Sequence, residues 1–234
     1  GDGTMEVRRH LHANPELSYQ EVQTALYVAA QLRDCGIEPI EGIAQTGVMA
    51  EIKGRNPGRK SIALRADMDA LPIEEANNVV YKSRNPGVMH ACGHDVHTSS
   101  LLGTAKILNQ VKDQFEGTVR LLFRPGEEKN PGGASYMIRD GALENPRPSA
   151  IMGQHVFPLL PVGKIGFREG MYMASADEIY LKVIGKGGHG AAPDLCIDPI
   201  VIASHIIIAL QQIISRNANP RQPTVLTFGN IIGQ

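Results

Sequence analysis

Hydrophobic and polar positions along the first part of the chain follow two different periods, and these periods predict both helices and strands. Apolar residues three and four positions apart predict helices, whereas short uninterrupted apolar runs predict buried strands. The predicted helices are a segment between Ser18 and Gly36, residues 98–111 and residues 133–139. The predicted strands are residues 48–52, 61–64, 118–123 and 150–153. Strands that alternate with helices favour an α/β architecture of packed layers.

The tetrapeptide Ser18-Tyr19-Gln20-Glu21 has the spacing of a helix capping box. In that motif a hydroxyl and a carboxylate three residues later bind free backbone amides at the start of a helix. We therefore predict that the first of these helices begins at the tetrapeptide. It is expected to end at Gly36, because glycine is the preferred residue just after a helix C-terminus.

The last part of the chain has a different pattern and predicts a second domain. Its elements are expected in the order strand, strand, helix, strand, at residues 164–168, 179–184, 199–214 and 224–228. The glycine-dense segment 185–190 lacks the Gly-Lys-Ser/Thr ending of a P-loop and the spacing of a dinucleotide fingerprint, so nucleotide binding is not predicted. We place the domain boundary near Ala174, which divides the chain into residues 1–173 and 174–234.

Composition narrows the range of partners. The formal net charge is −1, Trp is absent and aromatic residues make up 5%, so neither nucleic acid nor an anionic membrane surface is an expected partner. Three cysteines are too few, and odd in number, for a disulfide framework, which favours a reducing compartment, the cytoplasm. The N-terminus lacks the apolar stretch of a signal peptide. The apolar segment 199–210 contains Ser204 and His205 and is expected to be too short to span a bilayer.

Acidic and imidazole residues follow three of the predicted strands. Asp67 and Asp69 follow the second strand, Glu127 and Glu128 follow the third, and His155 follows the fourth. In open α/β sheets, functional sites form at the carboxyl ends of strands. We therefore expect these side chains to converge on one crevice.

The loop 90–97 adds further groups that bind metals. Cys92 and His94 lie on either side of one glycine, so the loop can direct both side chains toward the same ion. Thiolate, imidazole and carboxylate together suit zinc and its neighbours. The pair Glu127-Glu128 suits a divided role, in which one carboxylate binds metal and the other is a general base for the water that the metal activates.

Other titratable residues are interpreted as structural. Asp67, and less readily Asp69, could instead cap the turn that follows their strand. The remaining cysteines are interpreted as small buried hydrophobes, and the remaining histidines outside the glycine-dense segment as structural or surface residues. These are Cys35, Cys196, His10, His12 and His205. Of these, only His12 also suggests a role in the site.

Several motifs in their order along the chain carry a family resemblance. They are RRHLHANPELSYQE, TGVMAEI, ALRADMDALPI, MHACGHDVHTSSLLG, LLFRPGEE, GGASYMIRDGAL, MGQHV and GKGGHGAAP. The chain resembles the aminoacylase/carboxypeptidase family of dinuclear metallohydrolases. The branch it resembles comprises amidohydrolases such as hippurate hydrolases, indole-acetyl-amino-acid hydrolases and N-acetyldiaminopimelate deacetylases. HACGHDVH followed by RPGEE is highly specific for this family.

The resemblance implies a fold and an assembly. It implies an α/β, three-layer, zinc-peptidase-like catalytic domain with a mixed sheet. It also implies an inserted, smaller α+β, ferredoxin-like lid and dimerisation domain, through which two subunits form a homodimer. Family members continue beyond the position of Gln234, complete the lid and supply one more metal-binding His. The resemblance therefore implies either that this sequence is part of a longer chain or that its second metal site is incomplete.

The resemblance also assigns metal ligands. Cys92 corresponds to the ligand that bridges two metal ions. His94 and His155 correspond to ligands on one side of the bridge, and Glu128 to a ligand on the other. Two divalent ions per complete subunit are implied, with zinc favoured by the thiolate and with manganese, nickel or cobalt as alternatives.

The remaining implied roles concern catalysis. Glu127 corresponds to the general base, and Asp69 to the residue that orients the metal cluster. His189 corresponds to a His that binds substrate in the partner subunit and stabilises the oxyanion. The implied reaction is hydrolysis of the amide bond of N-acyl amino acids or small peptides.

Two other interpretations of the same residues stay open on the sequence. The chain could be a non-catalytic relative that binds a metal and a peptide, although such a protein has no need of a base at Glu127. It could also be a thiol enzyme with Cys92 as nucleophile and a nearby His as base.

Overall fold

The structure is a computed structural model that describes residues 2–173 and 175–233. The chain divides into two units, one up to Lys164 and one from Ile165. Ala174, near which the sequence places the domain boundary, lies outside the described residues. The division at that residue therefore stays a prediction.

The first unit contains four helices and five strands among its described residues. The helices are α1 (Asp2–Ala13), α2 (Val22–Asp34), α3 (His94–Gln110) and α4 (Gly133–Arg139), with a 3-10 turn at Lys112–Gln114. The strands are β1 (Pro39–Ile43), β2 (Gly47–Lys53), β3 (Ser61–Asp67), β4 (Thr118–Arg124) and β5 (Ile151–Gly153).

The five strands form one mixed sheet in the order β1-β2-β4-β3-β5. β2 is antiparallel to both β1 and β4, whereas β3 is parallel to β4 and to β5. In the β3–β4 register, Asp67 lies beside Arg124, and in the β3–β5 register Arg65 lies beside Gly153. The parallel register brings the carboxyl ends of β3, β4 and β5 to the same edge of the sheet, which is the edge where the polar residues after the strands predict the site.

Side chains along β2 and β4 point alternately to the two faces of the sheet, so the hydrophobic core consists of one cluster on each face. One cluster contains Ala50 and Leu121 of the sheet together with Leu32 of α2 and Leu101 of α3. Residues of the opposite pleat, such as Leu122, pack in a second cluster with residues from α4 and the segment after it. Helices thus cover both faces of the sheet, which confirms the predicted α/β, three-layer fold with a mixed sheet.

The predicted capping box is wrong. α2 begins at Val22, and its N-cap residue Glu21 makes no side-chain capping bond. Ser18 and Glu21 instead bind groups that are distant in sequence, because those tertiary partners compete with the local backbone amides. Two elements were not predicted: α1, which contributes the buried Leu11, and β1, a short strand at the edge of the sheet.

The second unit contains one long helix, α5 (Pro199–Gln212), where the sequence predicts it. Asp198 caps it by accepting hydrogen bonds from the backbone amides of Ile200 and Val201, at 2.8 and 3.2 Å. The three predicted strands of this region are not formed among its described residues. An apolar run becomes a strand only when a neighbour pairs with its backbone. The pairing that the described residues do show is a single bridge between Lys186 and Ile197.

The apolar helical segment that begins with α5 is longer than the predicted apolar segment 199–210. A π-helical turn, Ile213–Asn217, follows α5, so that the helical stretch Pro199–Asn217 has 19 residues and contains an 18-residue window with a mean hydropathy of 1.4. By length and composition it meets the criterion for crossing a membrane, and the expectation that it is too short is wrong. Core helices of soluble proteins meet the same criterion, so this finding alone is weak evidence for a membrane span.

Candidate metal centre

The sequence-predicted site residues of the first unit meet at the carboxyl edge of the sheet. Cys92 lies in the loop before α3, and His94 is the first residue of that helix. The ligand atoms of Cys92, His94 and His155 lie within 4.8 Å of one another. Those of His94, Glu127 and Glu128 form a second group within the same limit. His94 belongs to both groups, so the five side chains form one cluster.

Distances between individual atoms show how the cluster is organised. The Sγ atom of Cys92 lies 3.4 Å from Nε2 of His155. On the other side, Nε2 of His94 lies 3.9 Å from a carboxylate oxygen of Glu127 and 3.7 Å from one of Glu128. These separations exceed those of strong hydrogen bonds, and they place thiol, imidazole and carboxylate atoms around a common centre.

The two histidines present the same ring nitrogen to this centre. Nδ1 of His94 lies 2.9 Å from the backbone carbonyl oxygen of Asp69, and Nδ1 of His155 lies 2.8 Å from that of Val156. A carbonyl oxygen only accepts hydrogen bonds, so each Nδ1 is the donor. When either ring is neutral, its Nε2 carries the lone pair, and this is the tautomer that a metal ligand requires.

The electrostatics of the cluster fit a cation. Among the residues that the structure describes, neither Nε2 of His94 nor Oε1 of Glu128 has a hydrogen-bond partner, although both atoms are buried. Burial disfavours a charged imidazole, but the interactions with Asp69 and Cys92 outweigh it and raise the pKa of His94 to about 10. This position therefore favours positive charge. The set of thiolate, imidazole and carboxylate donors is suited to zinc and related divalent ions.

Asp69 is buried, and its two carboxylate oxygens have different partners. Oδ1 lies 3.1 Å from Nδ1 of His94, while Oδ2 accepts hydrogen bonds from Oγ of Ser18 (2.7 Å) and from the backbone amide of Glu128 (2.9 Å). Burial opposes ionisation, yet these hydrogen bonds lower the pKa of Asp69 below its ordinary value. Asp69 therefore links a ligand histidine to the backbone of a ligand carboxylate.

Asp67 forms a second buried ionic group at the end of β3, beneath the cluster. Its Oδ1 accepts a hydrogen bond from Nε of Arg124 at 2.7 Å, and its Oδ2 lies 3.6 Å from Nδ1 of His97. Although burial acts in the opposite direction, His97 and Arg124 hold the pKa of Asp67 well below its usual range. Arg124 also pairs through Nη2 with a carboxylate oxygen of Glu127 at 3.0 Å.

Sequence reasoning missed His97 and Arg124 as parts of this site. His97 is one helical turn after His94 and therefore lies on the same face of α3. Arg124 ends β4 directly before the Pro-Gly turn that leads to Glu127. Each of these positions could have been found from its spacing to a predicted site residue.

His12 anchors α1 to the start of α3. Its Nδ1 lies 2.8 Å from a carboxylate oxygen of Asp95, and its Nε2 lies 3.0 Å from one of Glu75. The hydrogen bond with Asp95 is the main cause that raises the pKa of His12. Arg8 pairs with the same oxygen of Asp95 at 2.8 Å. Asp95 directly follows His94, so the anchor fixes the backbone next to a candidate ligand.

His189 lies in the second unit and is exposed. Its Nδ1 accepts a hydrogen bond from the backbone amide of Ala191 at 3.1 Å. Because Nδ1 is the acceptor, Nε2 carries the proton of the neutral ring. The ring therefore presents an N–H donor to its surroundings.

We expect the substitution Gly93→Ala to weaken zinc binding and to lower the melting temperature. Gly93 has φ +83, and an added Cβ would lie 2.4 Å from a methyl group of Val156. The left-handed backbone costs an L residue about 1–2 kcal/mol, and relief of the clash shifts either Val156, which follows His155, or the backbone between Cys92 and His94. Zinc titration and thermal unfolding measure both effects.

Gly87→Ala is the matched control for this substitution. Gly87 has φ +74, and an added Cβ would meet no atom within 4 Å. This variant shares the backbone penalty without the clash, so its zinc affinity is expected to stay at the wild-type value. Equal zinc affinity in the two variants would show that the contact with Val156 is unimportant for the site.

Comparisons with known proteins give one family. The sequence model described as peptidase family M20/M25/M40 matches residues 63–230. An N-acyl-L-amino acid amidohydrolase of Geobacillus stearothermophilus is 48% identical, over 96% of this chain and 60% of that protein. A hippurate hydrolase of Campylobacter jejuni is 46% identical, over 96% of this chain and 57% of that protein. The chain thus spans 57–60% of the length of these curated relatives.

The chain is also similar to a solved structure of the same family. The crystal structure of a dinuclear metal-binding peptidase of Bacillus subtilis superposes with a TM-score of 0.68 at 48% identity. The superposition covers 72% of this chain and 47% of that one. The similarity therefore extends to a protein that binds two metal ions.

Proposed function

The chain belongs to peptidase family M20/M25/M40, and we propose that it contains the metal-binding part of a hydrolase that cleaves the amide bond of N-acyl amino acids or small peptides. The observation that carries the proposal is the position of Glu127. One of its carboxylate oxygens lies 3.9 Å from Nε2 of His94, and the other lies 3.0 Å from Arg124. A base is thus held beside a cluster of metal ligands, as water activation requires. The names of the two curated relatives support the substrate class.

The cluster would hold two divalent ions in the complete protein. Cys92, His94, His155 and Glu128 would be the side chains that hold them. Among the described residues, Nε2 of His94 and Oε1 of Glu128 are buried without a hydrogen-bond partner, and Nε2 of His155 lies 3.4 Å from Sγ of Cys92, which supports this assignment. Zinc is the ion that the thiolate favours, and manganese, nickel and cobalt suit the remaining donors.

The protein residues have defined tasks in this mechanism. When bound, the ions supply Lewis acidity, which polarises the scissile carbonyl and acidifies water. Glu127 takes a proton at Oε2 from the water whose oxygen bonds to the carbonyl carbon. It then delivers that proton to the amine nitrogen as the C–N bond breaks, so the products are a carboxylic acid and a free amino acid. Asp69 holds Nδ1 of His94 protonated, so that Nε2 faces the cluster.

His189 would supply a hydrogen bond to the oxyanion. Its protonated Nε2 supports this role, since an oxyanion requires a donor. Following the family resemblance, we propose that the second unit pairs two subunits as a homodimer and that His189 serves the partner's site. The three free cysteines support a reducing compartment such as the cytoplasm as the location of the enzyme.

The test is an assay of the full-length protein with a panel of N-acetyl, N-benzoyl and indole-acetyl amino acids, together with measurement of its metal content. We expect about two ions per subunit and turnover of at least one member of the panel. A protein that binds metal and cleaves none of them would instead be a non-catalytic binding relative. This outcome would overturn the proposal.

A further inference from the structure

Residues 18–21 are the tetrapeptide with the spacing of a capping box, but the side chains of Ser18, Tyr19 and Glu21 bind groups at the site and do not cap α2. We propose that this segment, called the strap below, positions the loop 126–129 that carries Glu127 and Glu128. The inference rests on the proposed function, because it assigns to the strap the task of holding that reaction's carboxylates. The strap also lies before residues 63–230, which the family model matches.

Glu21 holds the first residue of the loop. Its side chain is completely buried. Oε1 accepts a hydrogen bond from the backbone amide of Gly126 at 2.7 Å, and Oε2 accepts one from Oγ1 of Thr46 at 2.7 Å. A buried carboxylate is stable only where such donors meet it, so the backbone at Gly126 is fixed relative to the strap.

Tyr19 contacts both ends of the loop. A Cβ added to Gly126 would lie 2.4 Å from the Tyr19 ring, so the ring packs directly on the Gly126 backbone. The Tyr19 hydroxyl donates a hydrogen bond to the carbonyl oxygen of Lys129 at 3.3 Å. Tyr19 has φ +63, which is rare for a bulky residue. Such a conformation persists only where surrounding contacts enforce it, and it is concentrated at functional sites.

Ser18 binds the carboxylate of Asp69, which in turn binds the loop. Its Oγ donates to Oδ2 of Asp69 at 2.7 Å, and the backbone amide of Glu128 donates to the same oxygen at 2.9 Å. The other oxygen of Asp69 faces Nδ1 of His94 at 3.1 Å. The strap, Asp69 and the loop therefore form one hydrogen-bonded unit around His94.

Because of this hydrogen-bonded unit, we expect the strap to affect the reaction rate as well as the stability of the fold. Glu127 and Glu128 lie on a loop between β4 and α4, not on a helix or a strand. Three strap side chains hold that loop and the adjacent Asp69 in place. A displacement of about 1 Å in a catalytic group can cost about 10²-fold in rate. The strap residues are therefore positioning residues, not catalytic ones.

The experiment compares Tyr19→Ala and Tyr19→Phe in the zinc-loaded, full-length protein. We expect Tyr19→Ala to lower both kcat and zinc affinity by about 10–100-fold, as loss of an outer support typically does, with KM nearly unchanged. Tyr19→Phe keeps the ring on Gly126 and is expected to restore most of both. In the metal-free protein, trypsin should cleave after the exposed Lys129 faster in Tyr19→Ala than in wild type.

Tyr27→Ala and Tyr27→Phe are the matched controls. Tyr27 is also partly buried, but its ring stacks on His10, at a centroid distance of 4.0 Å, and not on the loop. If the role of Tyr19 were merely structural, Tyr19→Ala and Tyr27→Ala would lower the melting temperature equally. Both variants would then keep the wild-type zinc affinity and the wild-type rate of trypsin cleavage after Lys129. That result would overturn the inference.

A second variant keeps the inference testable if Tyr19→Ala does not fold. Ser18→Ala removes one hydroxyl and is expected to weaken zinc binding, whereas Ser18→Thr restores it. Wild-type zinc affinity in Ser18→Ala would contradict the role of the strap. If the wild-type protein cleaves no N-acyl amino acid, the proposed function fails. The zinc affinities of the variants and their rates of cleavage after Lys129 still test whether the strap positions the loop.

Discussion

Replacing Glu127 by glutamine in the full-length protein is expected to lower kcat by about 10²–10⁴-fold, which is the usual contribution of a general acid–base residue. Glutamine has nearly the same shape, and its amide oxygen can take the place of Oε1, which lies 3.0 Å from Nη2 of Arg124 in the structure. It cannot accept the proton that leaves the attacking water. Steady-state kinetics with an N-acyl amino acid measure the loss, and elemental analysis measures the bound metal.

The metal content separates this effect from loss of the site. The assigned ligands Cys92, His94, His155 and Glu128 are unchanged in Glu127→Gln, so bound metal is expected to stay at the wild-type level. Glu128→Gln should instead lose zinc affinity. Glu6→Gln, at an exposed position on α1, is the control for the change of charge and should behave as wild type.

Turnover in Glu127→Gln within about 3-fold of wild type would contradict the role of Glu127, because a general base contributes far more than that. The base would then have to be another group near His94. A large loss of both metal and activity would instead make Glu127 a ligand, and the divided roles of the two adjacent carboxylates would be wrong.

Removal of metal with a chelator is expected to abolish activity, and added zinc is expected to restore it. Lewis acidity is the part of the proposed chemistry that the protein side chains do not supply. A thiol enzyme with Cys92 as nucleophile would behave differently, because its activity would survive the chelator. Residual activity after complete removal of metal therefore decides between the two mechanisms.

Alkylation of Cys92 gives an independent test of the same point. Cys92 is partly exposed, so its thiol should react in the metal-free protein. Zinc is expected to protect it, because a thiolate bound to a metal ion is no longer a free nucleophile. The experiment uses a Cys35→Ser, Cys196→Ser protein, in which Cys92 is the one cysteine left among residues 1–234. Equal alkylation rates with and without zinc would contradict the assignment of Cys92 as a ligand.

Much of the fold can be predicted from the sequence because the spacing of apolar residues indicates which face of each helix or strand is buried. The apolar runs of β2, β3 and β4 and the helical spacing in α2 reflect which face of each element is buried. The polar residues at the ends of β3 and β4 are equally visible. The predicted strands of the second unit show the limit, because strand formation depends on a pairing partner that an apolar run does not specify.

The residues of the candidate site could be predicted from the sequence, but the hydrogen bonds that hold them could not. Cys92, His94, Glu127 and Glu128 stand out because their residue types and spacing suit metal binding. The partners that hold them do not stand out. Ser18 and Asp69 are 51 residues apart, and a local capping motif gave a plausible but wrong role for Ser18.

By itself, the sequence determined the alternation of helices and strands, the edge of the sheet where the polar residues gather and the donor types of the metal cluster. These follow from periodicity and residue chemistry, which are local properties. Only the tertiary structure decided which nitrogen of His94 faces the cluster and that Glu21 binds the amide of Gly126, 105 residues away. The physical reason is that a hydrogen-bonding group selects its partner by distance and orientation in the folded chain, where distant groups compete with near ones on equal terms.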